Sequence, residues 1–97
     1  MKLVYTEEAI NDLKRLRDFI AKHNPNAALR IAQELISKIN LLVDFPRVGT
    51  TVKLAPSPET VRDMIFGNYI VRYSIHRETI IVLHIWHSRE SKDIEII

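Results

Sequence analysis

Val61–Arg89, VRDMIFGNYIVRYSIHRETIIVLHIWHSR, is the stretch that decides the fold. It holds three apolar runs separated by Gly67-Asn68 and Arg77-Glu78. This pattern predicts strands over Val61–Phe66, Tyr69–His76 and Thr79–His87. A Gly-Asn link between apolar runs marks a tight hairpin, because glycine accepts the positive φ that primed turns require. In the last run, unbroken alternation puts Ile81, Leu83 and Ile85 on one face and Ile80, Val82, His84 and Trp86 on the other. A strand apolar on both faces is covered on both sides, so we expect it inside a small antiparallel sheet.

Upstream, Leu3-Val4-Tyr5 reads as a short opening strand. Thr6 offers an N-cap hydroxyl, and Glu7 and Glu8 lie where the helix dipole favours negative charge. Ala9, Ile10, Leu13, Leu16 and Ile20 recur at helical spacing, which leaves Asp12, Lys14, Arg15 and Asp18 for the outer face of a helix from about Glu7 to Lys22. His23-Asn24-Pro25 breaks it, with Asn24 as a cap and Pro25 suited to the first position of a second helix. That helix carries Ala28, Ala32, Leu35, Ile36, Ile39 and Val43 and is expected to end near Asp44. So short a link makes the helices antiparallel neighbours. Phe45–Gly49 is an exit loop, Thr51–Leu54 a brief extended segment and Pro56–Glu59 a turn. The tail Ser91–Ile97 reads as an edge strand or as a segment awaiting a partner. The expected architecture is α+β, in the order β-α-α-β-β-β, with a helical hairpin on one sheet face and the first strand on an edge.

At 97 residues, 1–97 is expected to form a single domain, long enough to bury about two thirds of its unfolded surface. The absence of cysteine excludes a disulfide framework and a thiolate zinc site. The opening Met1–Glu8 lacks the apolar core of a secretory signal, and no run approaches the roughly 20 apolar residues of a membrane span, so a soluble cytoplasmic protein is expected. A net charge of +2 is too mild to indicate nucleic-acid binding by itself. No phosphate-binding glycine loop, catalytic triad or ligand cluster calls for a cofactor or metal, and His84 and His87 are spaced to point to opposite faces. The residues able to act are Arg62, Arg72, His84, His87 and Arg89, then Lys53 and Tyr73. Arg62, Ile70, Arg72 and His84 together would make a basic concavity on the sheet face away from the helices, or simply its solvated side. His87, two residues before Arg89, is either a general base kept neutral by a neighbouring cation or a strand-end residue capping a carbonyl, and Trp86 reads as packing.

Four motifs, in order, resemble the RelE/ParE superfamily of toxins from type II toxin–antitoxin systems. They are the opening strand leading into Ala9-Ile10-x-Asp12-Leu13, the helix entry Pro25-Asn26-Ala27-Ala28, the exit Pro46-Arg47-Val48-Gly49, and the meander of Arg62, Tyr69 and Tyr73 closing on His87 and Arg89. The resemblance implies a toxin neutralised by a cognate antitoxin encoded beside it, in a heterotetramer or larger complex. The antitoxin's flexible segment would fold along an apolar groove or free sheet edge, on the helical hairpin or the meander. Two activities are implied by the two branches. The ParE-like branch, associated with plasmid stabilisation, poisons DNA gyrase, with Arg62, His87 and Arg89 as target-binding residues here. The RelE-like branch cuts mRNA on the ribosome, with Arg62, Arg72, His87 and Arg89 as catalytic residues. Ile70 stands where the ribonuclease branch commonly has arginine, and Ile94 and Glu95 occupy the neighbourhood of its late aromatic, so the resemblance leans to ParE. A non-toxic interaction module is the third alternative.

Overall fold

The computed structural model describes residues 1–53, 55 and 60–90. In chain order it contains β1 (Lys2–Tyr5), α1 (Glu7–His23), α2 (Ala28–Asn40), a 3₁₀ turn (Leu41–Val43), β2 (Thr50–Thr51), β3 (Val61–Phe66), β4 (Tyr69–His76) and β5 (Thr79–His87). The strands form one sheet in the order β1-β5-β4-β3-β2. β1 runs parallel to β5, and every other pairing is antiparallel. The meander strands have the limits expected, and β5 lies inside the sheet. Both hairpin turns place a residue at positive φ, Gly67 at +58° and Arg77 at +57°. Arginine there bears the left-handed strain that glycine avoids.

Thr6 caps α1 as expected, its hydroxyl accepting the Ala9 N–H at 3.0 Å. The start of α2 is different. Asn24 closes α1 from behind, its N–H donating to Ile20 O at 2.7 Å, and its own carbonyl accepts from Ala27 N at 3.1 Å. Residues 24–27 are therefore occupied in a turn, and α2 begins at Ala28 rather than Pro25. It ends at Asn40, where the chain tightens into the 3₁₀ turn before reaching Asp44. The expected extended segment is reduced to Thr50–Thr51 among the described residues, and the Pro56–Glu59 turn and the Ser91–Ile97 tail lie outside them.

Leu16, Leu35, Ile39 and Leu42 from the helical layer pack on Met64, Val71, Tyr73, Ile80, Val82 and Ile85 from the sheet. Each Leu or Ile buried this completely contributes roughly 1.5–3 kcal/mol relative to exposure. Val52, Ala55, Val61 and Leu83 form a smaller cluster. Ile10, expected on the apolar stripe, is exposed, and Asp12, expected on the outer face, is buried.

The unbroken alternation expected for β5 fails at Leu83. Arg72 pairs with His84 and Tyr73 with Val82, so Leu83 is an extra residue in a β-bulge. A bulge shifts the phase of the strand by one. Ile80, Val82 and Ile85 consequently all reach the core, and Leu83 joins the smaller cluster.

Candidate functional site

The cationic residues singled out from the sequence do not assemble into one basic face. Arg72 forms a bidentate ion pair with Asp63, its cross-strand neighbour, at 2.8 and 3.0 Å, and its guanidinium lies 5.2 Å from the Trp86 ring centre. It is thus buried, neutralised and stacked. Arg62 shares the opposite strand phase with Met64 and Phe66, pairs with Tyr73, and donates to Gly49 O at 2.7 Å and more weakly to Arg47 O at 3.4 Å. The expected concavity of Arg62, Ile70, Arg72 and His84 is therefore not formed, because Arg62 turns toward the loop after α2. His84 Nδ1 lies 3.3 Å from Asp12 Oδ2. Lys53 is exposed beyond β2.

His87 is only 9% exposed, between the rings of Phe19 and Tyr69 at 5.2 and 5.0 Å. Its Nδ1 accepts the Arg89 N–H at 3.0 Å, so it caps an amide rather than a carbonyl, and that bond needs the unprotonated nitrogen. Burial lowers the imidazole pKa from its ordinary value, and the Arg89 and His23 charges push it further against the opposing pull of Glu90. The neutral ring is what a base requires, but its setting is a packed aromatic one. Arg89 is exposed, and its guanidinium has no partner among the described residues.

A polar seam that sequence reasoning missed runs along β5 where β1 ends. Thr6 Oγ1 donates to Leu83 O at 3.0 Å, the Asp12 carboxylate accepts the Ile85 N–H at 2.8 Å, Arg15 donates to Ile85 O at 3.0 Å, and Glu90 accepts the His87 N–H at 2.8 Å. Thr6, the α1 residues Asp12 and Arg15, and Glu90 thus bond the β5 backbone beyond the end of its pairing with β1. Arg15 also pairs with Asp12 and Glu90. The Glu90 hydrogen bond raises the Arg15 pKa despite partial burial, with Asp12 adding to it. Burial alone would raise the Glu90 pKa, but its bonds from Arg15 and the His87 amide, together with their charges, hold it below the ordinary carboxylate value. The readable signal was the position of Asp12, three residues after Ala9 and four before Leu16, on the apolar stripe itself.

A second missed feature is a brace under the exit loop. The fully buried Tyr73 hydroxyl donates to Pro46 O at 2.7 Å and accepts the Gly49 N–H at 3.0 Å. A Cβ at Gly49 would lie 2.8 Å from Asp63 O and 2.9 Å from the Tyr73 hydroxyl, so this close approach requires glycine. With Arg62 holding the Gly49 carbonyl, the loop is pinned from three directions. It presents Phe45 and Val48, 60% and 61% exposed, beside Ile65 of β3, 69% exposed. Leu41, Met64 and Phe66 complete a groove of about 220 Å³, with Lys38 on its wall. A second groove, of about 230 Å³, runs between the helices over Leu13, Ile20, Ala32 and Ile36, with Lys14 and Arg17 on its rim.

This arrangement defines a class: a RelE/ParE-type α+β domain, with a helical hairpin on a mainly antiparallel sheet and apolar grooves open to partners. Comparison with known proteins carries it further. Residues 3–92 match the family model described as the ParE toxin of the type II toxin–antitoxin system, parDE. The chain belongs to that ParE toxin family. It is 30% identical over 88 residues to "Toxin RelE2" of Caulobacter vibrioides, a match covering 90% of this chain and 94% of the relative. Its fold is similar to that of a chain from the chromosomal ParDE toxin–antitoxin system of P. aeruginosa, with a TM-score of 0.75 and 21% identity over 90% of this chain and 95% of that one.

Proposed function

We propose that this chain is the toxin of a type II toxin–antitoxin pair that acts by binding its target, with DNA gyrase as that target, and is neutralised by an antitoxin encoded beside it. The observation that supports binding over RNA cleavage is the engagement of the residues a ribonuclease would need. Arg72 is neutralised by Asp63, Arg62 holds loop carbonyls, and His87 is enclosed by aromatic rings with Nδ1 engaged. Cleavage of a phosphodiester needs an accessible base together with cations free to take up developing charge. Of these four residues, Arg89 alone has an exposed guanidinium without a partner among the described residues.

Induced expression followed by primer extension on abundant transcripts tests this. Growth arrest with intact transcripts and broken chromosomal DNA is the expected result. Cuts at ribosome-positioned codons would instead establish the mRNA endonuclease, and unimpaired growth at full expression the non-toxic module.

A further inference from the structure

Three consecutive amides after β5 each find an acceptor. Ser88 N–H donates to Asn68 O at 2.7 Å, Arg89 N–H to His87 Nδ1 at 3.0 Å and Glu90 N–H to His87 O at 2.9 Å. The Glu90 carboxylate closes the turn, its Oε1 accepting the His87 N–H at 2.8 Å. Arg15 of α1 grips the same carboxylate, donating from Nε at 2.7 Å and from Nη2 at 3.2 Å. The rest of the Arg15 fork is spent inside the fold, on Asp12 and on Ile85 O. The Glu90 side chain is only 9% exposed, so it is poorly placed to touch another molecule. Its engagement by Arg15 and the His87 amide also withholds it from its chain neighbour Arg89. What the turn shows to solvent is Ser88 and Arg89, and the Arg89 guanidinium is unpaired among the described residues.

We propose that Arg15 and Glu90 are positioning residues that set this turn so that the Arg89 guanidinium meets a carboxylate of the protein target, a role that rests on the target-binding reading above. A backbone already held in place lowers the ordering cost of the contact. A guanidinium fork suits one carboxylate, which it can meet with two parallel bonds. A duplex backbone instead rewards several free cations at once, and Arg62 and Arg72 are engaged in loop bonds and an ion pair.

Isothermal titration calorimetry of the full chain into purified gyrase, without DNA, tests this. Arg89→Ala is expected to weaken binding roughly 10- to 100-fold, the loss of a charge-assisted bond. Glu90→Ala and Arg15→Met, which break the pair from its two sides, are each expected to weaken it roughly tenfold. Glu90→Gln keeps an acceptor for the His87 N–H and is expected to recover most of that loss. In the Arg89→Ala chain, adding Glu90→Ala is expected to change binding by less than about twofold, because the pair then has nothing to position. Far-UV circular dichroism at the assay temperature separates lost binding from lost fold, and either pair variant serves if the other does not fold. Wild-type binding with Arg89→Ala, or with the folded pair variants, within about twofold would overturn the positioning role and leave the toxin–antitoxin reading standing. An equal Glu90→Ala loss in both backgrounds, the mark of a purely structural pair, would overturn it as well. Binding only when duplex DNA is added would move the anion to a phosphate and overturn the carboxylate contact. No binding with or without DNA would overturn the gyrase reading and this role together.

Discussion

Replacing Tyr73 with phenylalanine isolates the brace under the exit loop. The ring fills the same core space, so the apolar contribution is retained. What disappears is one oxygen with two bonds, to Pro46 O at 2.7 Å and from Gly49 N at 3.0 Å. Gly49 is buried, so its N–H would lose its partner where water has little access, whereas the half-exposed Pro46 can recruit water for its carbonyl. Orphaning a buried group costs about 1–3 kcal/mol and losing a satisfied bond about 0.5–1.5, so we expect a total of roughly 2–4 kcal/mol. Against a domain stability of about 5–15 kcal/mol that is a large fraction. For a chain of this size it corresponds to a fall in Tm of roughly 10–20 °C. Thermal and urea denaturation followed by far-UV circular dichroism measures it, with the urea m-value unchanged. Hydrogen exchange at the Gly49 amide should accelerate in the variant. A fall in Tm below about 3 °C with Gly49 still protected would refute the brace, because the loop would then be held by something else.

Asp12→Ala should cost about 2–3 kcal/mol in urea unfolding by leaving the buried Ile85 N–H unpaired, and Asp12→Asn should recover part of it by keeping an acceptor. Gly49→Ala should cost about 1–3 kcal/mol in the same assay, since the backbone oxygen of Asp63 2.8 Å from the new methyl has little room to retreat. Arg77→Gly should raise stability by about 0.5–1 kcal/mol, as relief of the left-handed conformation outweighs the added freedom of the unfolded chain. For pH, the folded-state pKa of His87 is depressed below 6.5, so the unfolded chain takes up its proton first; the stability from this site is full above pH 6.5 and falls as the pH drops through the lower folded value. Glu90, depressed below 4.5, adds a second loss as the pH falls below 4.5. Denaturation midpoints measured against pH should decline in these two windows, and His87→Phe should flatten the first.

The strand limits of the meander were legible because Gly67-Asn68 and Arg77-Glu78 interrupt continuous apolar runs. The start of α1 was legible from the Thr6 hydroxyl. The bulge at Leu83 was not, since alternation carries no mark where a strand gains a residue whose neighbours are apolar on both sides. Asp12 was misplaced because a carboxylate was assigned to solvent by type, although its helical phase put it on the buried stripe. The partners of Arg62 and Tyr73 lie in a loop 13 to 27 residues away in sequence, and only the folded chain brings them together. Arg62, Arg72, His87 and Arg89 were identified by type, while their engagement in ion pairs, loop bonds and ring contacts depends on cross-strand register.

A toxin that inhibits by occupying a protein target, as proposed above, should act on purified gyrase without ribosomes. Purified chain incubated with purified gyrase, ATP and supercoiled plasmid, then treated with detergent and protease, addresses it most directly. Linear DNA is expected to increase with chain concentration and to be suppressed by pre-incubation with the antitoxin. Unchanged gyrase products, alongside codon-positioned cuts when the same preparation meets ribosomes translating a defined mRNA, would contradict it.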